Sequence, residues 1–182
     1  MKFLLQSSLQ ASIIFLCGFL ASHSVFAGCQ APNADVVSNN PDSVYTVNND
    51  STVIDNNTGL MWQQCSLGLS GSACEIGSIT TFTWNQALAA ANSNTASGYS
   101  DWRLPNKNEL ASLVDYSCRF RPINDTVFPA STASAYWSST PYAGNDEIIW
   151  ISDYSNGGSM NAANGTKNRA GILAVRLVRG LE

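Results

Sequence analysis

The chain has 182 residues, of which 45% are hydrophobic and 12% are charged, with 9 basic and 13 acidic side chains and a formal net charge of -4. This length fits one globular domain with a short tail and excludes two full-sized domains. The negative charge excludes the broad positive field that nucleic acid requires as a main partner, and a charged fraction about half the roughly 25% of ordinary globular proteins is typical of an exported protein.

Residues 1–27 have the layout of a secretory signal peptide. Lys2 precedes an apolar run at 13–21, and Ala27 ends the small-residue site that signal peptidase needs. The run is well short of the roughly 18 residues that a membrane span requires, so we expect cleavage after Ala27 and no span. Cleavage also removes His23, the one histidine in the chain. The mature protein then has no histidine-activated nucleophile, histidine metal ligand or histidine pH switch.

The four cysteines that remain after cleavage predict two disulfide bonds in an oxidising compartment. The segment between Cys65 and Cys74 is short and rich in Ser and Gly, so a local bridge can close it. We therefore predict Cys65–Cys74 and Cys29–Cys118, although four cysteines allow three pairings. Lipid anchoring at Cys29 is the alternative, since this residue ends an imperfect lipobox. No two cysteines have C-x-x-C spacing, and we predict neither a metal site nor a cofactor.

The N-terminal half predicts a leader followed by a small sheet. Residues 28–43 are polar and irregular, and the domain itself is expected to span 44–182. Extended runs separated by Asn, Asp and Gly turns predict an antiparallel meander with strands at 44–47, 52–55 and 60–64.

Two helices are predicted by their N-terminal caps. Thr83 opens a capping box in front of an apolar face with helical spacing, so a first helix should run to about residue 94. Asn106 and Glu109 form a second cap, which predicts a helix ending near residue 116.

The last third returns to strand patterns separated by polar turns. The expected strands are 136–140, 147–153, 159–162 and 171–178. The continuous apolar runs at 148–151 and 172–175 predict central strands covered on both faces, and 164–168 is expected to be a turn. Strands, two helices and a closing meander together predict an α+β fold with antiparallel sheets.

Candidate ligand contacts surround the turns of this last third; they are Trp150, Tyr154, Asn156, Lys167 and Arg169. The aromatic rings approach a solvent-facing turn and can stack on sugars, and the two cations flank a polar turn where they can bind a carboxylated or sulfated ligand. The structural alternatives are aromatic core filling and ion pairs of Arg103 or Arg176 with Asp101 or Asp153.

Carboxylates provide the candidates for catalysis. Asp146, Glu147 and Asp153 could serve a hydrolase, but nothing in their spacing requires the paired acids of such a mechanism. We therefore expect no enzyme, with a carboxylate-dependent cell-envelope hydrolase as the alternative.

Five motifs follow one another along the chain, at residues 58–62, 98–105, 123–129, 136–139 and 175–179. In this order they resemble the Legionella collagen-like protein C-terminal domain family, over residues 45–180. The resemblance implies an exported bacterial domain with a C-type-lectin-like or formylglycine-generating-enzyme-like α+β core. It assigns structural motif positions to Trp62, Trp102, Arg103, Pro105, Trp137 and Arg176. The family includes an adhesin for sulfated glycosaminoglycans, but this chain lacks a collagen stalk and is acidic.

These patterns predict an exported, disulfide-stapled and non-enzymatic binding domain in the periplasm or at the surface of a Gram-negative bacterium. Its expected partner is a glycan or an anionic surface polymer, bound by the loops at 143–146, 154–158 and 164–169. A structural subunit of a surface assembly is a further alternative, and the oligomeric state stays open.

Overall fold

The computed structural model describes residues 30–131, 135–154 and 165–181, with only the backbone described at 30–32, 119–120 and 165–167. The predicted signal peptide, Cys29, Asn156 and the predicted strand at 159–162 lie outside the described residues.

The predicted N-terminal meander forms and is completed by a strand from the end of the chain. With strands numbered in chain order from β1 (Gln30–Pro32), the four strands are β2 (Tyr45–Val47), β3 (Thr52–Asp55), β4 (Leu60–Gln63) and β11 (Val178–Gly180). They lie in the order β11-β4-β3-β2, and all three pairings are antiparallel. The β3–β4 turn is held by Asp55, whose Oδ1 accepts the N–H groups of Asn57 and Thr58 at 2.9 and 3.3 Å.

A second antiparallel sheet contains β8 (Ala135–Tyr142), β9 (Asn145–Asp153) and β10 (Gly165–Asn168). The central strand is β9, as the apolar run at 148–151 predicted. The expected turn at 164–168 is wrong, because Gly165–Asn168 pairs with β9 as an edge strand, where polar residues are tolerated.

The expected central strand at 172–175 is also wrong. Ile172 is 63% exposed, and Leu173 and Ala174 make only single bridges, to Phe82 and Tyr136. The segment is apolar because the side chains of Ala174 and Val175 are fully buried in the core, although the backbone around them does not form a central strand.

The two predicted helices are present with both capping boxes. They are α1 (Trp84–Asn92) and α2 (Lys107–Ser112), so α2 is shorter than expected. Beyond it, Asp115 accepts hydrogen bonds from the N–H and hydroxyl of Ser117 at 2.9 and 2.7 Å. The N–H of Asp115 donates to the carbonyl of Pro122. These bonds turn the chain away from the helix axis.

Two short strand pairs complete the fold. β7 (Cys118–Phe120) pairs with β1, and β5 (Leu69–Ser70) pairs with β6 (Ile76–Gly77). The predicted Cys65–Cys74 disulfide is confirmed and closes the β5–β6 hairpin, with Cα atoms 5.4 Å apart. Cys118 is disulfide-bonded; its predicted pairing with Cys29 involves a residue outside the described range and stays a prediction.

The core consists of two clusters that alternate along the strands. The Trp62 cluster includes Val53, Leu110, Phe128, Tyr136 and Tyr154, and the Trp137 cluster includes Met61, Ala87, Ala91, Ile149 and Ile151. Because neighbouring strand residues point to opposite faces, Trp62 and Met61 of β4 enter different clusters. Helix α2 therefore packs on one face and α1 on the other. The α+β class, with antiparallel sheets, two helices and a disulfide, is confirmed; the likeness to C-type lectins stays a prediction.

Arg176 lies inside the Trp62 side of the core, with 1% of its surface exposed. Its guanidinium donates to the carbonyl oxygens of Gln63 and Gln64 and to the hydroxyls of Ser66 and Ser131. None of these partners is a carboxylate, so the expected ion pair with Asp101 or Asp153 is wrong. Burial lowers the pKa of this guanidinium, and the ring of Phe128 faces it at 4.9 Å.

Replacing Arg176→Met should lower the free energy of unfolding by about 3 kcal/mol, because the buried carbonyls of Gln63 and Gln64 lose their donors. Urea unfolding followed by tryptophan fluorescence measures this change. Arg103→Met is the matched control, since its ion pair is half exposed and should contribute at most about 1 kcal/mol. Equal losses in the two variants would contradict the assignment.

Replacing both Cys65 and Cys74 by serine should lower the free energy of unfolding by about 2.5 kcal/mol, the loop-closure entropy of so short a loop. The same urea titration checks it on the oxidised protein. A loss under about 1 kcal/mol would show that the hairpin is ordered without its covalent closure.

Candidate binding surface

The predicted ligand contacts fall into separate environments. Trp150 is half-buried on β9. Tyr154 is only 1% exposed, and its hydroxyl donates to the carbonyl of Leu110 at 2.9 Å. Burial raises the pKa of this phenol. Tyr154 is therefore a core residue, and its expected place at the surface is wrong because the end of β9 turns inward over α2.

The two predicted cations are also separated. Lys167 lies on the edge strand β10, paired in register with Ile149. Arg169 is half-buried, and its guanidinium carbon lies 4.7 Å from the ring centre of Trp84. Trp84 packs against the Trp137 cluster, on the face of the sheet opposite to Trp150. The structure thus does not bring Arg169 and Trp150 to one surface.

Trp150 instead meets two residues, Lys107 and Tyr142, that were not among the predicted ligand contacts. The Lys107 ammonium lies 4.9 Å from the centre of the Trp150 ring, and the Tyr142 ring lies 5.7 Å away at an interplanar angle of 63°. Tyr142 is 43% exposed. We call Trp150, Tyr142 and Lys107 the Trp150 surface. It combines two aromatic rings with a cation, a combination suited to sugar rings and anionic groups.

The Trp150 surface is held by α2 and by the middle of β8. The N–H of Lys107, the first residue of α2, donates to the hydroxyl of Thr140 at 3.1 Å. Ser138 donates its hydroxyl to the carbonyl of Trp150 at 2.6 Å and accepts the Trp84 indole N–H at its own carbonyl, 2.9 Å away. The helix cap and β8 therefore fix where the cation meets the ring.

The cap of α2 rests on Glu109. Its carboxylate accepts the N–H of Asn106 at 2.7 Å and both guanidinium nitrogens of Arg103 at 2.8 Å. Burial opposes ionisation, but the bonds from Arg103 and Asn106 outweigh it and hold the pKa of Glu109 below its usual value. This ion pair thus anchors the first turn of α2, from which Lys107 projects.

The remaining motif positions of the family resemblance are structural. Trp62, Trp102 and Trp137 are at most 3% exposed, and the indoles of Trp102 and Trp137 donate to backbone carbonyls. Arg103 pairs with Val178 through two backbone hydrogen bonds of 3.0 Å. The carbonyl of Pro105 accepts the N–H of Ser139 at 2.8 Å, which ties the start of α2 to β8.

The carboxylates considered for catalysis are not brought together. Asp146 and Glu147 are exposed neighbours that point to opposite faces of β9. Asp153 ends the same strand, about 20 Å further on at the rise of a β-strand. A glycosidase pair needs roughly 5 to 10 Å, so these residues give a hydrolase no support. Within the described ranges, no three His, Cys, Asp or Glu side chains are grouped to hold a metal ion.

The fold and this surface define a class: a small α+β domain, closed by a disulfide, that displays aromatic and basic side chains beside a sheet. Residues 51–179 match the model of the family described as the Lcl C-terminal domain. The chain belongs to this family. No curated protein matches the chain. Among the described residues, no helix has the length and apolar character needed to cross a membrane.

Replacing Glu109→Gln should weaken the anchor of α2 in a pH-dependent way. Since the folded-state pKa of Glu109 is lowered, its stabilisation is complete above the unfolded-state value of about 4.3 and is lost as pH falls through the folded-state pKa. The difference in unfolding free energy between wild type and variant should be about 1 kcal/mol at neutral pH and vanish in acid. Urea titrations across this range measure it, and a pH-independent difference would refute the ionic contribution.

Proposed function

We propose that this domain is an exported, non-enzymatic binding module that recognises glycans or other surface polymers at the Trp150 surface. The observation that carries the proposal is the meeting of a half-buried tryptophan, an exposed tyrosine and a lysine from three different elements. Rings of this kind bind the C–H face of a sugar, and the ammonium binds a carboxylate or sulfate on it.

Two further features support the proposal. The edge strand β10 pairs with β9 beside this surface, with Thr166 in register with Trp150, so a polymer lying along the sheet meets a polar edge strand next to the tryptophan. Membership of the Lcl C-terminal domain family fits a secreted or surface protein. The low fraction of charged residues and the disulfide that closes the β5–β6 hairpin also fit a protein exported to an oxidising compartment.

The test is a glycan array probed with the oxidised mature protein at low and high salt. We expect hits among acidic polymers, weakened by salt because Lys107 lies at the surface. Tyr142→Ala and Lys107→Met should each reduce binding about tenfold. Tyr116→Ala is the matched control, since Tyr116 is 53% exposed and lies outside the Trp150 surface.

No hit at low ionic strength, or equal binding by Tyr142→Ala and Tyr116→Ala, would remove the Trp150 surface as the site. Release of soluble fragments from a bound polymer would instead identify a hydrolase. Large homo-oligomers without any ligand would favour a structural subunit.

A further inference from the structure

A cavity of about 350 Å³ lies away from the Trp150 surface, between three segments of the chain. One wall is the hairpin closed by Cys65–Cys74, another is the turn at Asp50 and Ser51 before β3, and the third is the turn after α1 that includes Ser97. This volume falls within the range of small-ligand pockets.

Polar groups with unused hydrogen-bonding capacity line this cavity. Asp50 uses Oδ1 to accept both the N–H and the hydroxyl of Thr52, while no described residue donates to its Oδ2. Asn94 accepts hydrogen bonds at Oδ1 from Gln63 and from the N–H of Ala96, while its amide N–H₂ donates to no described residue. The cavity therefore offers a carboxylate acceptor and an amide donor.

Apolar side chains lie beside these polar groups. Leu67, Leu69 and Ala96 line the same cavity, together with the hydroxyls of Ser51 and Ser70. No lysine or arginine is among the lining residues. A carboxylate, an amide and hydroxyls next to a small apolar strip match a ligand with many hydroxyl donors and one C–H face, and the carboxylate disfavours an anion.

The walls are fixed before any ligand arrives. Gln63 donates to Asn94 at 2.8 Å, and the hydroxyl of Ser97 donates to the carbonyl of Asp50 at 2.7 Å. Ser51 and Ser97 both have left-handed backbones, with φ of 66° and 56°. Such strain in non-glycine residues persists only where surrounding contacts enforce it, and it concentrates at ligand-binding sites. A rigid wall also lowers the entropic cost of binding.

The floor of the cavity is tied to the buried arginine. Ser66 lines the cavity, is 1% exposed, and accepts a hydrogen bond from Arg176 at 3.3 Å. Its hydroxyl also meets that of Tyr136 at 2.8 Å. The carbonyl of Gln63, another lining residue, accepts from Arg176 at 2.9 Å. The floor therefore keeps its shape as long as the core is intact.

We propose that this cavity is a second binding site, which takes a neutral saccharide unit. Hydroxyls of the sugar donate to Asp50 and accept from Asn94, and its C–H face lies on Leu67, Leu69 and Ala96. This inference is independent of ligand binding at the Trp150 surface.

The experiment is an NMR titration of the ¹⁵N-labelled, oxidised mature protein with D-glucose and, separately, with D-glucuronate at millimolar concentrations. The two probes differ only at C6, where glucuronate carries a carboxylate. We expect D-glucose to shift the amide signals of residues 66–70 and 94–97, and glucuronate to bind there about fivefold more weakly. Absence of shifts with D-glucose, shifts only elsewhere, or equal binding of the two probes would overturn the proposal.

Two variants locate the site. Asp50→Asn keeps the acceptor for Thr52 but loses the charge, and it should bind D-glucose about tenfold more weakly. Ser70→Trp puts a large ring into the cavity from an exposed position and should abolish binding. Ser72→Trp is the matched control, because Ser72 is exposed on the same hairpin but does not line the cavity. Loss of binding in Ser72→Trp as well, or retention in Ser70→Trp, would place the sugar elsewhere.

Discussion

The buried guanidinium of Arg176 is the constraint on which the rest of the fold depends. A cation with 1% exposure must find acceptors inside the protein, and these come from distant parts of the chain: the end of β4, the start of the disulfide hairpin and the segment before β8. One side chain thereby joins the first sheet, the disulfide hairpin and the segment before β8. The aromatic faces of Phe128 and Tyr136 complete the shell without a carboxylate.

The five tryptophans have two roles in this fold. Trp62, Trp102 and Trp137 fill the two clusters, where a short-stranded domain needs large side chains to bury enough apolar area. Trp84 and Trp150 remain half-buried, and each has a cation over its ring. Among the described residues, Lys107, Arg169 and Arg176 lie over aromatic rings, while Arg103 and Arg179 form ion pairs with Glu109 and Asp101.

Features set by neighbouring residues could be predicted from the sequence. Both capping boxes, the turns of the first meander and the Cys65–Cys74 bridge depend on residues within ten positions of each other, and the structure confirms them. β10 could not be predicted, because its polar residues form a strand only by pairing with β9. Arg176 was expected at an ion pair, since no local pattern shows that four acceptors from three segments surround it. Only one feature of the sequence could have pointed to Lys107, namely its position directly after the N-cap of α2. The cavity could not be predicted, because it joins turns that lie some 45 residues apart in the sequence.

The two proposed sites differ in what a ligand would have to displace. At the Trp150 surface, Lys107 already lies over the ring, so a sugar that stacks on that face must first move the ammonium, which costs about 0.5 to 1 kcal/mol at an exposed site. A carboxylate or sulfate on the ligand would compensate for the lost cation–π contact by pairing with the Lys107 ammonium, whereas a neutral sugar forms no such ion pair. The cavity proposed as a second site would impose the opposite selection, because the carboxylate of Asp50 would repel an anion and the walls need no rearrangement. Under the two proposals, Lys107 over Trp150 and Asp50 beside Ser51 would therefore separate charged from uncharged saccharides within one small domain.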